Sequence, residues 1–268
     1  MQENFYFALS LTVFAGLATS IGGLLVMFIK RENQKILSFS LALSAGVMLY
    51  VSLVEILSKA IAALTPIYGE KQGNILAVAG FFVGIALIAL IDRFIPDVQE
   101  SIEMTKTNER ETNHQTDKNK LMRMGVFTAL AITIHNFPEG LATLLSALND
   151  PQMGLTITTA IAIHNIPEGI AVAVPIFYAS NSRKKAFTYA FLSGLSEPIG
   201  AVLGYFLFVQ FLGDEAFGFV FAAVAGIMVY ISLDELLPSA RKYGNHKLSM
   251  WGLVCGMAIM AVSLICFM

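Results

Sequence analysis

Apolar runs of about 20 residues or more recur along the whole chain, and they restrict its fold more than any other feature. A helix of that length crosses the hydrocarbon core of a bilayer, where backbone polar groups must be paired within the segment. Only 13% of the residues are charged, against about 25% in soluble domains. The sequence therefore predicts an all-α integral membrane protein, a single domain over residues 1–268. The eight predicted transmembrane helices lie near 4–29, 36–63, 74–94, 122–148, 153–179, 186–212, 215–240 and 247–267.

The distribution of basic residues predicts how these spans are oriented in the membrane. Fifteen of the 17 Lys and Arg residues fall in the loops on one face, and only Lys59 and Lys71 lie toward the other. Cytoplasmic loops of membrane proteins carry such an excess of positive charge. The pattern predicts that both termini are extracytoplasmic. It also places the polar segment of about 96–121, which contains His114, on the cytoplasmic side. The polar composition of this segment predicts a flexible loop without regular structure.

A weak internal repeat relates the two ends of the chain. Residues 46–60 match residues 226–240 at eight of fifteen positions, and the two copies fall in the second and seventh spans, which run in opposite directions. Related segments of opposite orientation are typical of inverted-repeat transporters. The sequence therefore predicts an inverted arrangement of three spans, a central pair and three spans.

The fourth and fifth spans, the central pair, contain the polar motifs that predict a function. Residues 135–140 and 164–169 repeat the pattern His-Asn-x-Pro-Glu-Gly in the middle of the fourth and fifth spans, which run antiparallel. At 100° per residue, the His, Asn and Glu of each motif point into one quadrant of the helix. Each proline also leaves one helix carbonyl without its backbone donor. The pattern predicts one polar centre at mid-membrane that both helices share.

The charges of this centre favour a metal cation over a hydrogen-bonded polar network. A carboxylate at the bilayer centre costs about 2.5–3.5 kcal/mol on insertion scales. Glu197 in the sixth span adds a third acid to those of the two motifs, and the interiors of these spans contain no Lys or Arg. Either the acids are protonated or a cation compensates them. Imidazole suits first-row transition metals and is rare in Ca²⁺ and Mg²⁺ sites. Three carboxylates would nearly balance two divalent ions.

The paired motifs, with Glu197-Pro198 in the sixth span, resemble those of the ZIP (Zrt/Irt-like) family of metal transporters, in particular its bacterial GufA/ZupT-like branch. The resemblance covers essentially the whole chain. It implies secondary transport across the cell membrane, with uptake of Zn²⁺ and often Fe²⁺, Mn²⁺, Co²⁺ or Cd²⁺ into the cytoplasm. It also implies a homodimer, which is common in the family.

The resemblance also implies which residues bind metal. A first site would use the four imidazole and carboxylate groups of His135, Glu139, His164 and Glu168. An adjacent second site would share the two glutamates as bridges and consist of Asn136, Glu139, Asn165, Glu168 and Glu197. Some relatives have Gln-Asp where this chain has His164-Asn165, so this chain has an extra imidazole and one charge fewer.

Five further residues are candidates for the ion pathway. Met48 resembles a thioether ligand or gate of relatives, although a methionine in an apolar helix is more often a packing residue. Glu55 is either an entrance ligand or a solvated side chain near a helix end. Asp92, Asp234 and Glu235 are either an exit relay or solvated interfacial carboxylates.

Two other functions compete with transport of metals. An intramembrane metalloenzyme would use His-Glu-x-x-His, which is absent from the sequence. A proton-coupled carrier of an organic solute is the remaining alternative. We therefore expect no enzymatic activity and no cofactor. Metal ions and lipid are the expected partners, and no nucleic acid.

Overall fold

The computed structural model describes residues 2–28, 34–94, 109–211 and 214–266, and nearly all of them are helical. The prediction of an all-α chain is confirmed. The helices are α1 (Gln2–Leu25), α2 (Gln34–Tyr50), α3 (Leu57–Tyr68), α4 (Glu70–Phe94), α5 (Glu109–Asn149), α6 (Pro151–Ser180), α7 (Arg183–Phe211), α8 (Asp214–Ile231), α9 (Leu237–Tyr243) and α10 (His246–Cys266).

The predicted spans lie within these helices wherever the structure describes them. Seven helical segments in the described part of the chain are long and apolar enough to cross a membrane. The fourth predicted span, 122–148, lies in α5, which is not one of the seven. Its apolar stretch is interrupted by the polar motif that begins at His135.

The predicted cytoplasmic loop is shorter than the sequence indicated. Helix α5 begins at Glu109, so the part of the loop from Glu109 to about residue 121 is helical, and the prediction of irregular structure there is wrong. Glu, Gln, Lys and Arg have high helix propensity and can continue a helix beyond the membrane. Residues 95–108 lie outside the described residues.

Two π-helical turns interrupt the second and seventh spans. Val51–Ile56 joins α2 to α3, and Ser232–Leu236 joins α8 to α9. The backbone N–H of Leu57 donates to Ser52 O, and that of Leu237 donates to Ser232 O. In the alignment of the two matching segments, Ser52 and Ser232 occupy the same position, as do Leu57 and Leu237. Such turns are rare and are often found at functional sites.

The helices pack in two groups. Helices α1, α5, α6 and α7 make their largest contacts with one another and form what we call the central bundle. Helices α2, α3, α4, α8 and α10 form the flanking bundle, in which α2 packs against α10 and α4 packs against α8 and α3. The interfaces of α2 with α6 and of α5 with α8 join the bundles and are smaller.

Glycines let the helices of the central bundle touch through their backbones. A Cβ atom on Gly140 would lie 1.9 Å from Glu197 O on α7, and one on Gly169 would lie 1.9 Å from Thr19 O on α1. Helix α7 contributes a glycine of its own to this contact, because Gly200 lies against the backbone of Phe137. Helices α1 and α7 therefore lie directly beside the two motifs.

Candidate metal centre

A tight helical hairpin sets the two motifs at one depth. Only Asp150 separates α5 from α6, and its Oδ1 accepts from the backbone N–H of Gln152 at 2.9 Å. Asp150 caps α6 while Pro151 occupies the first helical position, where a missing N–H costs nothing. His135 and His164 lie almost equally far along the chain from Asp150, one before it and one after it. The hairpin therefore brings both imidazoles to the same level.

The imidazoles and carboxylates of the two helices face each other. His164 Nε2 lies 3.0 Å from Glu139 Oε1, across the pair of helices. His135 Nε2 lies 3.3 Å from Glu139 Oε2 on its own helix and 3.5 Å from Glu168 Oε1 on the other. The two ring centroids are 6.3 Å apart. The four side chains predicted for the first site are therefore brought together.

This cluster is shielded from solvent. Glu168 is fully buried, and Glu139 is only 7% exposed. Ion pairs of basic side chains lie elsewhere in the described chain, as between Arg123 and Asp92 and between Lys59 and Glu55. Imidazoles are the close ionisable neighbours of both carboxylates, and neutral imidazoles cannot compensate two buried negative charges.

Several buried atoms of the cluster have no hydrogen-bond partner in the described part of the chain, although their neighbours are close. They are His135 Nε2, Glu139 Oε2, both ring nitrogens of His164, Asn165 Oδ1, Glu168 Oε1 and Glu197 Oε1. Most buried polar atoms in proteins are paired. Nitrogen and oxygen atoms that converge without aligned hydrogen bonds resemble the ligands of a cation more than a closed polar network.

The spacing of these atoms suits a single ion. One nitrogen from His135, one from His164 and one oxygen from Glu168 all lie within 4.8 Å of one another. Transition metals bind imidazole nitrogen and carboxylate oxygen at about 2.0–2.2 Å. Two ligands on opposite sides of an ion would thus be about 4 Å apart, so small side-chain movements would close the set.

The amides and the third acid adjoin this cluster. Asn165 Nδ2 donates to Glu197 Oε2 at 2.8 Å and to Ala15 O at 2.9 Å. When its amide is oriented to satisfy its neighbours, Asn136 donates to Glu168 Oε2 at 3.3 Å. Glu197 is fully buried. The residues predicted for the second site therefore form one connected polar group with those of the first.

Known proteins resemble the chain over nearly its full length. The sequence profile of the ZIP zinc transporter family matches residues 5–122 and 96–264. A protein named zinc transporter ZupT from Chlorobium chlorochromatii is 54% identical over the full length of both chains. Proteins of the same name from Oceanobacillus iheyensis and Lysinibacillus sphaericus are each 57% identical, with 98–99% of both chains covered. The chain belongs to the ZIP zinc transporter family.

Family membership and the seven long apolar helices of the described chain make this ZIP protein a multi-span membrane protein. The resemblance that the paired motifs indicated is confirmed. Its relatives are named as transporters, which agrees with the expectation that the chain is not an enzyme.

Two of the predicted pathway residues, Met48 and Glu55, lie in α2 and in the first π-helical turn of the ZIP chain. Met48 is fully buried within the main apolar cluster. Glu55 lies in the first π-helical turn, where its Oε1 pairs with Lys59 Nζ at 2.7 Å, and its Oε2 is buried without a hydrogen bond. Glu55 also interacts electrostatically with His164, so the structure links this candidate for the ion pathway to the centre.

The three acids predicted for the exit come together. Asp92 on α4, with Asp234 and Glu235 in the second π-helical turn, offer oxygens within 4.8 Å of one another. Arg123 on α5 donates to Asp92 Oδ1 at 2.6 Å, so this group also joins the two bundles. It is partly exposed, unlike the centre.

Two hydroxyl-bearing residues that contact the motif helices were not predicted from the sequence. Ser44 on α2 donates to Pro167 O at 2.8 Å, and Thr19 on α1 packs its backbone against Gly169. Neither residue stands in a recognisable pattern.

Proposed function

We propose that this protein is a secondary transporter that takes up divalent transition-metal cations, Zn²⁺ foremost, into the cytoplasm through the centre on α5 and α6. Fe²⁺, Mn²⁺, Co²⁺ and Cd²⁺ are further candidate substrates. The observation that carries the proposal is the set of unpartnered nitrogen and oxygen atoms that converge inside the bundle. Such a mixed donor set suits first-row divalent metals. The name zinc transporter, given to relatives at 54–57% identity, supports Zn²⁺ as the principal substrate.

The centre would hold two adjacent ions. The first would bind to His135, Glu139, His164 and Glu168. The second would bind to Asn136, Asn165 and Glu197, with Glu139 and Glu168 as bridges. Three carboxylates against two divalent ions leave a net charge of about +1, which is smaller than the −3 of the carboxylates alone and lowers the cost of burial.

An inverted repeat would generate this arrangement. The two π-helical turns occupy matching positions, which supports the relation between the second and seventh spans. Helix contacts support it as well, because Gly84 lies against Ala223 and Gly256 lies against Leu43, with a Cβ approach of 1.9 Å and 2.1 Å. Ala223 and Leu43 fall at equivalent positions when the alignment of the matching segments is extended toward the N-terminus.

Alternating access would then move one bundle against the other. Because α1 and α7 touch the motif helices through their backbones, the central bundle would move as one body with its ions. The smaller interfaces with the flanking bundle are where sliding would occur. In this scheme both termini are extracytoplasmic, Glu55 lies on the entrance side, and Asp92, Asp234 and Glu235 receive the ion at the cytoplasmic exit. Met48 would act as a gate. The unit in the cell membrane would be a homodimer.

Uptake by purified protein in liposomes tests the proposal. Wild-type protein should accumulate Zn²⁺ or Cd²⁺, and Glu139→Gln and Glu168→Gln should reduce the rate at least tenfold, roughly the cost of one lost charged ligand. Glu70→Gln, an exposed acid at the start of α4, is the matched control and should transport normally. Normal uptake by both site variants would refute the site. A metal-free preparation that moves an organic solute would favour the alternative carrier.

A further inference from the structure

Thr19 on α1 is the structural equivalent of Glu197 on α7. Each motif ends in a glycine that packs against one of these residues. Gly140 lies against the backbone of Glu197, and Gly169 lies against the backbone of Thr19. The distance from an added Cβ to the carbonyl oxygen would be 1.9 Å in both cases. The two contacts are therefore equivalent under the relation that exchanges α5 with α6.

The side chains of Thr19 and Glu197 also leave their helices in matching directions. A Cβ atom on Gly194 would lie 3.0 Å from Thr19 Cβ, and one on Gly16 would lie 3.3 Å from Glu197 Cβ. Helices α1 and α7 thus cross at these residues with each side chain beside a glycine of the other helix. Because Glu197 reaches the polar group through Asn165, the same relation would carry the side chain of Thr19 toward that group from the other side.

The hydroxyl of Thr19 has no hydrogen-bond partner among the residues that the structure describes. Thr19 is fully buried, and its Oγ1 forms no hydrogen bond. The hydroxyl of buried Thr128 is also unpaired within the described chain, whereas Thr12 and Thr158 donate to the carbonyl four residues earlier, Ala8 O and Gly154 O. That local bond is the usual way to satisfy a hydroxyl inside a helix. A buried hydroxyl left unpaired is costly unless a ligand completes it.

The two halves of the centre therefore differ in charge. Where α7 carries the carboxylate of Glu197 beside Gly140, α1 carries the neutral hydroxyl of Thr19 beside Gly169. In the proposed orientation α1 runs inward, so Thr19 lies on the cytoplasmic side. A divalent ion is held more weakly by a hydroxyl than by a carboxylate.

We propose that Thr19 is a further contact of the transported ion, and that its neutral hydroxyl makes the cytoplasmic half of the centre the side of weaker binding and faster release. This proposal rests on the proposed function and assigns Thr19 as the position that sets the difference in affinity between the two halves. The hydroxyl would contact either the ion or a water molecule bound to it.

Substitutions at Thr19 test this role by uptake and by metal retention. Thr19→Val keeps the shape and removes the hydroxyl, so kcat/KM for Zn²⁺ should fall roughly three- to tenfold, the value of one hydrogen bond or weak ligand. Thr19→Ser should stay within about twofold of wild type, since it keeps the hydroxyl. Thr19→Asp restores a carboxylate. It should retain more Zn²⁺ after dialysis and lower the turnover number.

Thr12→Val is the matched control, because Thr12 is equally buried on the same helix but its hydroxyl is already bonded to Ala8 O at 3.1 Å. It should transport like wild type. If Thr19 has only a packing role, Thr19→Val will transport like Thr12→Val and raise the unfolding temperature, and the proposal is then wrong. Wild type and Glu139→Gln are measured alongside. If Glu139→Gln abolishes Zn²⁺ uptake while Thr19→Val transports at the wild-type rate, only the Thr19 proposal is refuted.

Discussion

Glu139 is the side chain on which the centre converges. Both imidazoles approach it, His164 Nε2 at 3.0 Å and His135 Nε2 at 3.3 Å, and neither contact completes the hydrogen bonding of its Oε2. Glu168, its counterpart on α6, is approached by His135 and, with the amide suitably oriented, by Asn136. A carboxylate with partners on two helices can bridge two ions, which is the role that the proposed function gives to both glutamates.

Glu197 distinguishes a two-ion centre from a one-ion centre. Its carboxylate reaches Asn165 and belongs only to the second proposed site. Glu197→Gln keeps the shape but removes the charge, so the protein should hold one Zn²⁺ where wild type holds two. Equilibrium dialysis with elemental analysis measures both numbers.

The control for this count is Glu70→Gln, which should bind as many ions as wild type because Glu70 is exposed at the start of α4. Two retained ions in Glu197→Gln would remove Glu197 from the site. A single ion in wild type would remove the second site altogether.

At this scale the sequence indicated which polar residues of α5, α6 and α7 come together, but it did not indicate their neighbours. The His, Asn and Glu residues could be placed because a motif that is repeated in adjacent spans fixes their faces and their depth. Thr19 could not, since a single threonine in an apolar helix has no distinguishing pattern. Its position follows from the contact of Gly169 with α1, and that contact depends on tertiary packing.

Among the elements, the close contacts of α5 with α7 and of α6 with α1 position the centre. A methyl group on Gly140 would meet the backbone of Glu197, which cannot move aside as a flexible side chain can. Gly140→Ala should therefore push α7 away from α5 and destabilise the protein by about 1–3 kcal/mol, the usual cost of overpacking. It should also weaken Zn²⁺ binding. Thermal unfolding in detergent and metal titration measure the two effects.

Gly218→Ala is the control for a buried glycine whose neighbour can yield. The nearest atoms to its added Cβ belong to the Leu64 side chain, which can change rotamer. It should cost less stability and leave metal binding intact. Equal effects of the two substitutions would contradict the claim that the contact of α5 with α7 positions the site.

The sequence predicted the helices better than it predicted the irregular turns within them. Apolar length predicted each span, because that length is set by the bilayer. The π-helical turns at Val51–Ile56 and Ser232–Leu236 were not predicted, since one extra residue in a turn hardly changes an apolar pattern. The start of α5 at Glu109 was missed because the absence of apolar periodicity does not exclude a helix.

At the scale of the whole molecule, the division into two bundles leads to a prediction about movement. Arg123 on α5 and Asp92 on α4 join the bundles through a contact of 2.6 Å. In a background that lacks Cys255 and Cys266, cysteines at these two positions joined by a short bifunctional thiol reagent should lock the bundles. Zn²⁺ uptake in liposomes should then stop, and when the reagent is cleaved it should return to the rate of the same double-cysteine variant before cross-linking.

A cross-link inside one bundle serves as the control. The hydroxyls of Ser38 on α2 and Ser249 on α10 are 3.3 Å apart within the flanking bundle. Cysteines at these positions should form a link that leaves uptake intact, because these helices move together. Full uptake by a completely cross-linked Arg123–Asp92 pair would contradict movement of one bundle against the other.

The central claim is that the buried imidazoles and carboxylates of α5 and α6 bind the transported metal, and Zn K-edge X-ray absorption of the Zn²⁺-loaded protein tests it most directly. The account predicts nitrogen and oxygen ligands at about 2.0–2.2 Å, with imidazole scattering from His135 and His164 that falls by about half in His164→Gln, because one of the two rings is then absent. A metal environment unchanged by His164→Gln and by His135→Gln would contradict it.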